Sequence, residues 1–135
     1  MSHQTPSGLP PSIVVSRRDA ARLEAMLEAP QWQHDATAEA LLGELVRAEI
    51  VDDADMPAGV VGMHSRVECI DETSGEQHTL TLVYPLEADA GAGRISVLAP
   101  VGSALLGLSV GQSIDWATPQ GRSLRLRVTG VHAAG

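Results

Sequence analysis

The sequence predicts an α+β fold: a short N-terminal antiparallel helical hairpin, a coiled coil in form, followed by a curved antiparallel β-sheet that carries one short helix. Three observations lead there. The chain has 135 residues, enough for one core with a small appendage. Its apolar residues recur at helical intervals up to about residue 50 and then alternate within short runs of β-formers. The change of period falls at Asp52-Asp53-Ala54-Asp55-Met56-Pro57, a helix-ending, turn-forming stretch. The expected organisation is a disordered N-terminus over 1–11, the hairpin over 12–51, a linker over 52–58 and the sheet domain over 59–135.

Each element has a local cause. Ser16 stands three residues before Asp19 in capping-box spacing. Ala20, Leu23 and Leu27 then share one helical face until Pro30 stops the run. A second helix is expected over 36–50, with Asp35 as N-cap and Ala38, Leu41, Leu45 and Ala48 on its inner face. At 1.5 Å per residue each arm reaches only about 20 Å. Beyond the linker, 67–70 and 79–84 read as an antiparallel pair across Ser74-Gly75, and 94–98 as a third strand. Pro100 can open a short helix carrying Ala104, Leu105 and Leu106, which Gly107 ends. The runs 113–117 and 123–131 form a last hairpin across Thr118-Pro119-Gln120-Gly121, in which Leu124, Leu126 and Val128 alternate with Arg125 and Arg127.

Composition excludes several classes of function. All 9 basic residues are arginine, set against 17 acids for a net charge of -8, so the diffuse positive surface that nucleic-acid backbones require is missing. Acid is concentrated in 16–58, which favours partners with basic surfaces. Cys69 is the only cysteine, which points to a reducing compartment and excludes a disulfide scaffold. The uncharged stretch 95–114 is long enough to span a bilayer, but Pro100, Gly102, Gly107 and Gly111 interrupt it. No basic leader precedes an apolar run. The expected setting is cytoplasmic, without membrane contact.

Candidate chemistry is sparse. Gly102 to Gly107 has the glycine spacing of a phosphate-binding loop, yet Leu108 stands where the lysine must be. His3, His34, His64, His78 and His132 have no metal-ligand spacing. No Gly-x-Ser-x-Gly elbow is expected, and no Ser, His and Asp are arranged locally as a triad. Cys69 alternates with Val67 inside a strand and reads as a buried thiol. Asp52, Asp53 and Asp55 read as a solvated linker, and Asp35 is the only acid between Pro30 and Ala38. Neither catalytic residues, a metal nor a cofactor is expected.

A set of motifs nevertheless resembles a known family. The residues are Met56-Pro57, Met63-His64-Ser65-Arg66-Val67, Thr81-Leu82-Val83-Tyr84-Pro85, the block from Ile95 to Gly111 that contains Ala104-Leu105-Leu106-Gly107, and Thr118-Pro119-Gln120-Gly121. Together they resemble the Gre transcription elongation factors, and more closely their short relatives of the Rnk family, the regulators of nucleoside diphosphate kinase, over about 12–132. The resemblance implies a C-terminal domain folded like FK506-binding proteins that docks on RNA polymerase at the rim of its secondary channel. The matching docking positions are Ala99, Pro100, Val101, Ser103, Ala104, Leu105 and Leu106. Gre factors carry paired acids at the tip of a long hairpin for transcript cleavage. The tip here is Gln31, Trp32, Gln33, His34 and Asp35 on short arms, which implies a non-enzymatic competitor of Gre factors at the channel mouth. Two other readings stand beside it. One is a peptidyl-prolyl isomerase, suggested by the fold but opposed by the aromatic content, since only Tyr84 and Trp116 lie beyond the linker. The other is an adaptor for a different protein partner.

Overall fold

The computed structural model describes residues 13–117 and 121–133. The expectation for 1–11 and most of the turn at 118–121 lie outside them.

The chain enters through β1 (Val14–Ser16) and turns directly into α1 (Arg17–Leu27). Ser16 Oγ accepts the Asp19 N–H at 3.1 Å and satisfies one of the donors left free at the helix start. A 3-10 turn over Pro30–Trp32 reverses direction, and α2 (Ala36–Arg47) returns. Its cap is Asp35, whose Oδ2 accepts the Ala38 N–H at 2.8 Å. The faces read from the periodicity are the buried ones: Ala20, Leu23 and Leu27 on α1, and Ala38, Leu41 and Leu45 on α2.

The second helix ends three residues earlier than its pattern suggests. Ala48 is extended, with φ -67° and ψ 150°, and β2 (Glu49–Val51) follows. This strand pairs in parallel with β1, and the Glu49 N–H donates to the Ile13 carbonyl at 2.8 Å. Ile50 and Val51 are β-branched, so pairing with Val15 and Ser16 outcompetes another helical turn. The base of the hairpin is thereby closed on itself. Arg17 and Asp52 (2.9 Å) and Arg18 and Asp53 (3.1 Å) add ion pairs across the same base. All four side chains are exposed, so each pair contributes at most about 1 kcal/mol. The acidic stretch after β2 contains a 3-10 turn, Asp53–Asp55.

The second sheet contains β3 (Arg66–Asp71), β4 (Gln77–Val83), β5 (Arg94–Ser96), β6 (Ser113–Ala117) and β7 (Ser123–His132), in the order β5-β4-β3-β7-β6. It departs from the expected antiparallel sheet at one edge, where β5 runs parallel to β4. The intervening chain travels back along the sheet through 3-10 turns at Pro85–Glu87 and Ala90–Ala92, so the next strand starts from the same end. A register shift between Glu68 and Cys69, opposite β7, interrupts the ladder, and a bulge of this kind bends a sheet.

The short helix α3 (Pro100–Leu105) has Pro100 in its first turn, where the missing N–H costs nothing. Gly102 lies so close to β5 that a Cβ there would overlap the Ser96 carbonyl oxygen. Gly107, with φ +82°, follows the helix in a left-handed conformation. Val101, Leu105 and Leu106 join Val67, Leu82, Leu126 and Val128 of the sheet and Leu23 and Leu41 of the hairpin in one continuous buried cluster. Burying a leucine contributes about 1.5–3 kcal/mol, so hairpin and sheet stabilise each other.

Candidate docking corner and hairpin tip

The seven positions proposed for docking divide by burial. Pro100 and Ala104 are exposed, Ala99 and Ser103 are half-buried, and Val101, Leu105 and Leu106 are buried. The latter three hold the helix on the sheet, so the accessible face is Pro100, Ser103 and Ala104, one ridge at i, i+3 and i+4. A six-residue helix leaves no backbone slack under this ridge. Beside it runs an open groove of about 500 Å³ whose walls include Ile13, Glu44, Ala104, Leu106 and Leu108. The corner is thus a small ridge, apolar at Pro100 and Ala104 with the half-buried Ser103 between them, on a rigid support.

At the tip, Gln31, Gln33 and His34 are exposed, while Trp32 is half-buried and packs against the apolar cluster. The Gln33 side-chain amide donates to the Glu28 carbonyl at 3.3 Å. Asp35 is the one carboxylate of the turn, and its cap bond to Ala38 engages it.

A further cluster joins the hairpin to the sheet. Asp19 Oδ2 accepts the Met63 N–H at 2.9 Å, and in the same tight loop Ser65 Oγ accepts the Gly62 N–H at 2.9 Å. His64 is held between them at φ +67°, a strained value for a residue with a side chain. Its Nε2 lies 2.8 Å from Glu87 Oε1, which also accepts the Tyr84 N–H at 3.2 Å. The hydrogen bond from His64 is the main cause holding the Glu87 carboxyl below its ordinary range. The Arg22 guanidinium of α1 sits 4.9 Å from the Tyr84 ring centroid, and the His64 ring meets the same tyrosine edge-on at 5.6 Å. Burial, followed by the charge of Asp19, raises the Tyr84 phenol. These contacts orient α1 against the sheet. Sequence reasoning missed them because their partners are far apart in the chain, although His64 and Tyr84 both fall within motifs that carry the family resemblance.

The remaining candidates resolve into structural roles. Burial pushes the Cys69 thiol up to about 11, the state of a resting thiol. Asp71 accepts the Thr73 N–H at 3.1 Å and the Ser74 hydroxyl at 2.8 Å, and these bonds hold its carboxyl low while they shape the β3–β4 turn. The expectation of no nucleophile elbow is corrected in spacing, because Gly107-Leu108-Ser109-Val110-Gly111 has the Gly-x-Ser-x-Gly pattern. It runs from a helix towards a strand, the reverse of that motif's strand-to-helix turn. Among the described residues no group of three or more His, Cys, Asp or Glu is gathered to hold a metal ion, and no helix is long and apolar enough to cross a membrane.

Comparison with known proteins fits this geometry. Residues 56–133 match the family described as transcription elongation factor GreA/GreB, C-terminal, and residues 11–51 match the Rnk N-terminus. A regulator of nucleoside diphosphate kinase from Escherichia coli is 42% identical over 118 residues, covering 87% of each chain. A transcription elongation factor GreA from Rhodospirillum rubrum is 44% identical over 75 residues, covering 56% of this chain and 48% of its own. Among solved structures, a prokaryotic transcription elongation factor GreA/GreB from Nitrosomonas europaea superposes with a TM-score of 0.81 at 45% identity, covering 92% of this chain and 100% of that one.

Proposed function

Because the chain belongs to the GreA/GreB transcription elongation factor family, in the branch with an Rnk N-terminus, we propose that it is a transcription regulator that docks on RNA polymerase. The α3 corner sits on the rim of the secondary channel, with Pro100, Ser103 and Ala104 as the contact ridge. The hairpin fills the channel mouth and excludes Gre factors without stimulating transcript cleavage. The observation that carries this reading is the tip. Its single carboxylate, Asp35, is engaged as a helix cap at 2.8 Å, and arms of 11 and 12 residues extend only about 16–18 Å at 1.5 Å per residue. Paired acids that could position a metal at the catalytic centre are missing from 30–35. Any link to nucleoside diphosphate kinase, which the name of the E. coli relative carries, is exerted through transcription.

The experiment is a competition. Stalled elongation complexes are incubated with this protein, with a Gre factor, and with both at several ratios. The protein alone leaves the transcript intact, it suppresses Gre-stimulated cleavage, and excess Gre factor restores cleavage, as mass action at one shared site requires. Transcript shortening by the protein alone, or inhibition that persists at saturating Gre factor, overturns the reading.

A further inference from the structure

The groove beside the corner contains one charged residue, Glu44, among a lining that is otherwise apolar or neutral polar. Three features make it anomalous. It is half-buried rather than solvated. It has no hydrogen bond or ion pair with another described residue. It also stands in the last turn of α2 (Ala36–Arg47), the helix end whose partial negative charge disfavours a carboxylate. Arg47, three residues on, offsets part of that cost within the helix, and a carboxylate set into an otherwise uncharged groove still points to function. The groove floor around it is apolar, with Leu106 buried and Ile13 and Leu108 half-buried, and one rim is the exposed Ala104.

We infer that α2 and α3 form a single composite docking surface, and that this groove takes an apolar segment of the polymerase bearing an arginine or lysine that pairs with Glu44. Charge complementarity identifies the occupant. A half-buried carboxylate with no partner among the described residues, on a chain segment carrying 4 arginines against 10 acids over 16–58, selects a cation on the incoming surface. Excluding water from the apolar walls strengthens that pair. The hairpin therefore takes part in docking at its base as well as projecting into the channel. This inference rests on the polymerase reading above.

The test uses the full chain and polymerase core enzyme, with Glu44→Gln, Glu44→Lys and, as a probe of the α3 ridge where it borders the groove, Ala104→Arg. Glu44→Gln is expected to bind about tenfold more weakly, which corresponds to about 1.4 kcal/mol. Its affinity falls less steeply with added salt than that of the wild type. Its melting temperature equals or exceeds the wild-type value, because an unfavourable charge has been removed. Glu44→Lys weakens binding further. Loss of stability in Glu44→Gln would assign the residue a structural role and overturn the inference. So would wild-type affinity and salt dependence in both Glu44 variants: if Ala104→Arg still weakens binding, the corner stands and only the composite surface falls. If Ala104→Arg also binds normally, the polymerase reading falls too. Normal polymerase binding together with altered self-association of Glu44→Lys in sedimentation would give the groove to a second copy and likewise overturn the inference.

Discussion

Replacing Asp35 by alanine separates the two roles a carboxylate at the hairpin tip can have. In the structure its Oδ2 accepts the Ala38 N–H at 2.8 Å, a shorter capping bond than the 3.1 Å one from Ser16 at the start of α1. Losing an N-cap of this kind costs about 0.5–2 kcal/mol, and part of that is the attraction of a negative charge to the helix start. Because Asp35 is half-exposed, about 1 kcal/mol is expected, which lowers the melting temperature of a chain this size by roughly 3–4 °C. Asp35→Asn keeps a capping oxygen and gives up only the charge, so it should lie between wild type and Asp35→Ala. Thermal melts followed by circular dichroism at pH 7 give the order. The same three proteins then enter the Gre competition assay at a temperature well below all three transitions, where equal potency is expected. A folded Asp35→Ala that melts like wild type but no longer inhibits, or an Asp35→Asn that is as inactive as the alanine variant, would show that the carboxylate acts on a partner or a metal.

Two glycines should respond to alanine in opposite directions. At Gly102 the new Cβ meets the Ser96 carbonyl, and overpacking against backbone is expected to destabilise by about 1–3 kcal/mol, whereas at Gly43, inside α2 with nothing within 4 Å of the new atom, a gain of about 0.5–1 kcal/mol is expected from helix propensity. Urea titrations of both variants decide it, and an unharmed Gly102→Ala would refute the close approach of α3 to β5. Cys69, its thiol raised to about 11 from an ordinary 9.0, contributes stability that is complete below pH 9 and is lost as pH rises through 11; a Cys69→Val variant should lack this alkaline component. The native thiol should also resist a disulfide reagent at pH 8 and react once the chain is unfolded.

The helices were legible because their causes are local. Ser16 and Asp35 lie three residues from the N–H groups they cap, and the faces of Leu23 and Leu41 follow from spacing alone. The same holds for the hairpin of β6 and β7, where leucine alternates with arginine. The parallel pairs were not legible. Strands of three residues such as β1, β2 and β5 carry too few positions to show a period, and the helix 36–50 was overextended because Ala48 continues the helical apolar spacing. Register between distant segments has no local signature, so the Asp19 bond to the Met63 amide, across 44 residues, was invisible. The α3 corner was legible as a helix start but not in its orientation. Apolar residues crowd 99–106, and only the close contact of Gly102 with β5 decides that Val101, Leu105 and Leu106 turn inward and Pro100 and Ala104 outward.

The parallel pairing of β1 with β2 gives the hairpin a modular character. Both ends of the helical excursion are fastened to one another at its base, by Val15 beside Ile50 and by Glu49 to Ile13, so the geometry of the root does not depend on what is built above it. Arm length becomes an adjustable parameter. Adding seven residues to each arm raises the tip by about 10 Å at 1.5 Å per residue while the socket, and the surface beside it, stay as they are. A scaffold of this kind can be lengthened, shortened or given a new tip by insertion and deletion alone, and each product inherits the same point of attachment and the same direction of projection.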